Sequence, residues 1–279
     1  MKQIILGDNL EVLPTLPNNF ARLIYIDSPF STGKVQQRKR IKVKATDGEG
    51  DRTGFAGKQF ITTEAEGSSN IYNDKFDDFP AFLMPRIEAS LHCLTDNGAL
   101  FVHLDYREVH YIKVALDKML GRHRFVNELI WAYDYGARSK SKWPAKHDTI
   151  LFYAMNPNKG GYVFNFDAMD RIPYLAPGLV GKEKAERGKT PTDVWFKTIV
   201  PTMGKEKQNY PTQKPLGVLD RIVKVHSNEG DIVLDFFAGS GSLGQSAENN
   251  NRGYVMIDNN PDAVKIMKAR LPTAQCIGF

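Results

Sequence analysis

The chain has 279 residues, 42% hydrophobic and 25% charged, enough apolar material for one large domain or a domain with a subdomain. Lys and Arg number 37 against 32 Asp and Glu, a mild formal charge of +5 whose distribution says more than its total. Two cysteines, Cys93 and Cys276, exclude a disulfide framework or a cysteine metal cage, no apolar run nears the roughly 18 residues of a membrane span, and the apolar stretch after Lys2 is too short for a signal peptide, so a cytoplasmic protein is expected.

Residues 3–6 form a short apolar strand ending at Gly7-Asp8-Asn9, and residues 10–16 have helical spacing that Asp8 or Asn9 can cap. A second strand, 22–26, runs into the polar turn Asp27-Ser28-Pro29-Phe30. In open α/β sheets, ligands bind at the C-terminal ends of strands. Between 31 and 72 periodicity fades: Lys34, Arg38, Lys39, Arg40, Lys42 and Lys44 come with no acid among them, then glycines at 48, 50, 54, 57 and 67. That composition predicts a solvated, mobile loop whose basic block can lie along phosphates.

Residues 79–94 read as an amphipathic helix, 95–98 as a turn, 99–104 as a strand and 108–120 as a helix closed by Gly121. His103 and His110 fall on a strand and a helix with no cysteine or acid to complete a set, so structural or surface roles are favoured over a metal site. From 125 to 135 the texture changes: Trp131, Tyr133 and Tyr135 alternate, followed by Arg138, Lys140, Lys142, Trp143, Lys146 and His147. Aromatics interleaved with bases suit a nucleic-acid surface. An ordinary strand paired with 150–154, its aromatics buried and its charges solvated, fits the same pattern. Residues 155–209 are rich in Pro, Gly and Lys and read as a loop-rich insertion, followed by Tyr210-Pro211-Thr212-Gln213-Lys214-Pro215 and a helix over 216–226.

An apolar strand, 232–234, then ends at Asp235, and the turn FFAGSG at 236–241 leads into a helix. Strand, glycine turn and helix bring backbone N–H groups close to a ligand, and Gly239 and Gly241 permit the tight turn. Asp258 closes the next apolar strand about 20 residues on, where a carboxylate can accept hydrogen bonds from ribose hydroxyls. The glycine spacing fits neither GxGxxG nor GxxxxGK[ST], which argues against a dinucleotide or a triphosphate.

Four stretches carry a resemblance: Gly7-Asp8, the [DNS]PP[YF]-type turn at 27–30, YPTQKP at 210–215 and DFFAGSGS at 235–242. Together they resemble the DNA amino-methyltransferases that use S-adenosylmethionine, in the order of the β group, with the catalytic turn before the cofactor turn. The resemblance implies an α/β fold: a Rossmann-like methyltransferase sheet with helices on both faces, a circularly permuted motif order and a loop-rich inserted target-recognition region. Residues 1–130 and 210–279 together would form the catalytic domain, with 31–72 a basic mobile loop, and 131–209 the target-recognition region.

By the same resemblance, a methyl group passes from S-adenosylmethionine to the exocyclic amine of a flipped base in double-stranded DNA. Adenine N6 is favoured over cytosine N4 because Asp27 holds the first place of the turn. Cytosine-C5 chemistry is disfavoured, since neither cysteine lies in a Pro-Cys turn. Asp27, Ser28, Pro29 and Phe30 are the implied catalytic residues, with Asp27 accepting from the amine and Phe30 stacking on the base. For the cofactor, Asp258 is implied at the ribose, Asp8 at the adenine amine, Asp235 and Gly239 at the methionine end, and Thr212 and Lys214 at its carboxylate. Asn9, Phe236 and Gly241 lie beside them in the same turns. Lys34, Arg38, Lys39, Arg40, Lys42, Arg138, Lys140 and Lys142 are the candidate DNA contacts. Ser28 stands where the family usually has proline, which keeps a catalytically impaired DNA-binding relative as a rival reading. A small-molecule or protein methyltransferase is disfavoured by the basic residues. A cognate restriction endonuclease, and the choice between monomer and homodimer, stay open; no metal and no membrane is expected.

Overall fold

The computed structural model describes residues 1–29, 34–38, 41–46, 48–53, 59–64, 70–74, 76–134, 136, 138–200 and 213–278. The chain opens on β1 (Lys2–Leu6) and a short helix, α1 (Asn9–Val12), which Asp8 caps by accepting from the Leu10 N–H at 2.8 Å. β2 (Ala21–Asp27) follows, then β3 (Lys34–Arg38), β4 (Ile41–Thr46), β5 (Arg52–Thr53), β6 (Gln59–Glu64) and β7 (Asn70–Asp74). Next come α2 (Phe79–Ser90), β8 (Leu94–Leu104), α3 (Val109–Leu120), β9 (Phe125–Ala132), β10 (His147–Ala154), α4 (Lys182–Arg187) and β11 (Val194–Phe196). The chain closes with α5 (Leu216–His226), β12 (Ile232–Asp235), α6 (Ser242–Asn249), β13 (Gly253–Asp258), α7 (Pro261–Arg270) and β14 (Gln275–Gly278).

Two compact units result: Met1–Phe30 with Asp77–Phe279, and Ser31–Phe76. In the first, the sheet order is β11-β9-β10-β8-β2-β12-β13-β1-β14. β10 runs antiparallel to β8 and β9; the other pairs are parallel. From β12 the chain winds outward to β13, and from β2 it winds the opposite way to β8. The C-terminal ends of β2 and β12, paired at Ile24 and Leu234, therefore flank the point where the winding reverses, the usual place for a ligand crevice.

Central strands buried on both faces read as near-continuous apolar runs. Leu23 and Tyr25 of β2 join Phe101, Phe152, Val233 and Tyr254 in a core against α5, α6 and α7, including Ile222, Leu243 and Met267. The alternating set, including Ile24, Ile26, Leu100 and Val102, is equally buried and points the other way. Tyr153 of β10 marks that opposite face, donating to Asp117 of α3 at 2.8 Å.

Three features differ from the expectation. Most of the described residues in 31–72 are strands: β3 pairs with β7, and β6 pairs with both β4 and β5, all antiparallel. Ile41-Lys42-Val43-Lys44-Ala45 alternates apolar and polar, a period-two signal that its lysine content obscures. Residues 95–98 belong to β8, whose Leu94 pairs with Ala21 before a register shift brings Leu23 opposite Ala99. The span 131–209 is also not separate from the sheet, because β10 lies within it and β11 extends it beside β9.

Candidate active site

On one side of the crevice, β12 delivers Asp235, buried and accepting from the Phe237 N–H at 2.9 Å. The turn then reverses through Gly239 (φ 50°) and Gly241 (φ 70°), left-handed backbone that favours glycine. A Cβ on Gly241 would also lie 2.8 Å from Met267 Cγ. Asp258, at the end of β13, accepts from the Gly239 N–H at 2.7 Å and from the Asn260 N–H at 2.9 Å. The start of α1 ties in through the Asn9 side-chain amide, which donates to the Phe236 carbonyl at 3.0 Å. Asp8, besides capping α1, lies 3.8 Å from the Arg86 guanidinium. Phe236 itself is buried in the turn.

Burial pushes both acids up. The Asp235 carboxyl lies well above its ordinary range, with the charges of Asp27 and Asp258 adding to burial and the Phe237 hydrogen bond opposing it. Asp258 is raised by burial against its two backbone hydrogen bonds.

On the other side, β2 ends at Asp27, whose Oδ1 lies 2.8 Å from Lys214 Nζ. This is a contact between opposite charges without hydrogen-bond alignment, since Asp27 Oδ1 is buried and has no aligned donor. Ser28 is buried with its Oγ unpartnered, and Pro29 is half-buried. Phe30 and Thr212 lie outside the described residues.

Beneath Asp27 runs a buried polar chain. The Tyr25 hydroxyl is 2.6 Å from His103 Nδ1, and His103 Nε2 is 3.1 Å from Asp148 Oδ2. Tyr133 donates to Asp148 Oδ1 at 3.0 Å. A carboxylate only accepts, so His103 Nε2 donates to Asp148, while the roles at the Nδ1–Tyr25 contact follow the tautomer of the ring. Burial alone would raise the Asp148 carboxyl; the His103 hydrogen bond and charge, the Lys214 charge and the Tyr133 hydrogen bond outweigh it and hold it low. Tyr25 is pushed well above its ordinary value by burial and then by Asp27, Asp235 and Asp148.

The sequence patterns thus find both turns, and the fold brings them together across adjacent strands. They miss this polar chain and the contact of Lys214, a residue they assign to the cofactor carboxylate, with Asp27. The available signal was His103: a histidine near the end of a buried strand needs polar partners.

Between β9 and β10, Arg138, Lys140 and Lys142 are exposed on a segment bent by Ser139, whose Oγ accepts from the Ser141 and Lys142 N–H groups at 3.2 and 3.1 Å. Trp143 beside them is 95% exposed, whereas Trp131 is 3% exposed. The aromatics of this stretch therefore divide between core and surface. Lys34 and Arg38 lie on β3 and Lys42 on β4; Lys39 and Arg40 lie outside the described residues.

Residues 21–269 match the family of N6 and N4 methyltransferases described as DNA methylase. The chain belongs to that family. It is a DNA methyltransferase of the N6-adenine and N4-cytosine group, a family that uses S-adenosylmethionine. The Type II methyltransferase M.HpaI of Haemophilus parainfluenzae is 27% identical over 270 residues, 97% of this chain and 74% of that protein. The DNA adenine methyltransferase YhdJ of Escherichia coli K12 is 27% identical over 286 residues, 98% and 83% of the two chains. The same fold is seen in the M1.HpyAVI–SAM complex (20% identity, TM-score 0.60, covering 97% of this chain and 99% of that one). It recurs in the cytosine-N4-specific PvuII DNA methyltransferase (13% identity, TM-score 0.65, 96% and 85%). Among the described residues no helix is long and apolar enough to cross a membrane.

Proposed function

We propose that this enzyme methylates adenine N6 in double-stranded DNA, with Asp27 accepting a hydrogen bond from the target amine. The observation that carries the reading is Asp27 at the end of β2, beside the end of β12 where the sheet reverses, with a buried oxygen lacking an aligned donor. An acid in the first place of the turn and the likeness to an adenine methyltransferase support adenine over cytosine.

S-adenosylmethionine fits the crevice by the chemistry of its walls. Asn9 Oδ1 and Ser28 Oγ are buried acceptors without hydrogen-bond partners, and Asp258 keeps lone pairs beyond its two backbone bonds. Asp258 would hold the ribose hydroxyls, Asp8 and Asn9 the adenine end, and Asp235, Phe236, Gly239 and Gly241 the methionine end. When bound, the cofactor supplies a methyl group already activated by a positive sulfur. Asp27 does the orienting: an exocyclic amine is a poor nucleophile because its lone pair is delocalised into the ring. A carboxylate and a backbone carbonyl of the turn that accept its two N–H bonds leave the lone pair directed for attack. As the nitrogen gains positive charge, the same carboxylate stabilises it and takes up the proton.

DNA is held by the basic residues. Arg138, Lys140 and Lys142, with Lys34, Arg38, Lys39, Arg40 and Lys42, pair with phosphates, and Trp143 offers a stacking face. The test is to methylate random-sequence duplex with the purified protein and S-adenosylmethionine, then sequence it with base-modification detection. N6-methyladenine within one recurring motif is the expected product. N4-methylcytosine would replace adenine as the target, and cofactor binding without any modified base would overturn the catalytic reading.

A further inference from the structure

We infer that Lys214 is a positioning residue for the target amine, acting through Asp27, and is not the ligand of the cofactor carboxylate. This rests on the reading of Asp27 as the amine acceptor. Lys214 comes just before Pro215 and α5 and is 7% exposed, with its ammonium 2.8 Å from Asp27 Oδ1.

Its surroundings explain why a cation belongs there. The ends of β2, β10 and β12 bring Asp27, Asp148 and Asp235 into one buried neighbourhood, whose negative charges act together on the Tyr25 hydroxyl. The Lys214 charge acts on Asp148 as well as on Asp27, so it serves two carboxylates from different strands. Asp148 is itself fixed by His103 at 3.1 Å and Tyr133 at 3.0 Å, and His103 by Tyr25 at 2.6 Å. Tyr25 and Asp27 stand two places apart on the same face of β2. Hydrogen bonds run from β2 through Tyr25 and His103 to Asp148, and the Lys214 ammonium contacts Asp27, back on β2, while its charge also acts on Asp148. The ammonium contact limits the directions in which the Asp27 carboxylate can point. A carboxylate has lone pairs for more than one partner, so the ammonium can set its plane while it still accepts an amine N–H. The cation also offsets the mutual repulsion of Asp27 and Asp235.

The experiment is a double-mutant cycle on the full chain: Lys214→Met, Asp27→Ala and both together. Each variant is assayed for cofactor affinity by calorimetry, single-turnover methylation at saturating cofactor and DNA, and melting temperature. Lys214→Met is expected to bind cofactor within about twofold of wild type while its single-turnover rate falls about 10²-fold. Lys214→Arg keeps the charge and is expected to recover roughly tenfold of that loss. On the Asp27→Ala background, Lys214→Met is expected to cost almost nothing more, because a residue acting through Asp27 has nothing left to act on. Cofactor binding weakened by about tenfold or more, with a normal rate at saturation, would assign Lys214 to the cofactor and overturn the inference. A slow Asp27→Ala combined with additive losses would overturn the inference alone. A fully active Asp27→Ala would overturn both the inference and the reading beneath it. If Lys214→Met melts below the assay temperature, Lys214→Arg against Asp27→Ala carries the same cycle.

Discussion

Asp258 is held by two backbone N–H groups, at 2.7 and 2.9 Å, and Asp235 by one at 2.9 Å. Across the point of reversal, Asp27 instead faces a lysine ammonium at 2.8 Å. Backbone donors come with the strand ends and the glycine turn, and no side-chain substitution in a partner removes them. They suit a surface that must present the same shape to a ligand each time. A side-chain cation can shift as charge develops on its partner, which suits the group that meets the reacting amine. The crevice thus has one wall whose acids are fixed by the fold and one whose acid is fixed by a replaceable residue.

The largest expected effect separates the walls directly. Asp27→Ala should lower single-turnover methylation by about 10²-fold or more and leave cofactor affinity nearly unchanged, because its role is greatest in the transition state. Asp27→Asn should retain more than Ala, since its carbonyl still accepts one hydrogen bond. If Asp27 were only a local cap, the rate per folded molecule would be normal and the loss would be about 1 kcal/mol of stability.

Asp258→Ala should show the reverse pattern, weakening cofactor binding by roughly 1–3 kcal/mol as ribose hydroxyls and the Gly239 and Asn260 N–H groups lose their acceptor. Calorimetry with unchanged affinity would remove Asp258 from the binding wall, and equal losses of rate and affinity in both variants would break the distinction between walls.

A smaller effect concerns Asp235. Its folded-state carboxyl lies above the ordinary range, so stability is greatest at acid pH, where the group is protonated in both states, and is lost as pH rises through the folded value. Asp235→Asn removes this titration and keeps an acceptor for the Phe237 N–H. The variant should melt a few degrees higher than wild type at about pH 8, with the advantage fading as pH falls toward the ordinary carboxylate range. A constant offset at all pH values would show that charge at this position is not what costs stability.

The smallest effect lies in the exposed segment between β9 and β10. Neutralising Arg138, Lys140 and Lys142 should weaken binding to all duplexes alike and flatten the salt dependence by about 0.9 per lost phosphate contact, leaving the rate at saturating DNA intact. A change confined to one DNA sequence would make these residues base readers, and a changed rate would draw them into the site.

The strands and helices that build the sheet were legible because burial on both faces leaves unbroken apolar runs, as at Leu23 to Ile26 and Leu100 to Val102, and helix α5 matches its pattern from Leu216 to His226. Both turns were legible too, since a reversing backbone calls for glycine and a strand end presents polar residues. The β4 strand was hidden by its own lysines, which signal solvent more strongly than the alternation of Ile41, Val43 and Ala45 signals pairing. What only the tertiary structure decided was who partners whom: Lys214 with Asp27, Tyr25 with His103, and His103 with Asp148. Local patterns record the environment of an element's own faces. Partners across a sheet depend on the order in which the strands assemble, and a residue carries no local trace of the strand that will end beside it.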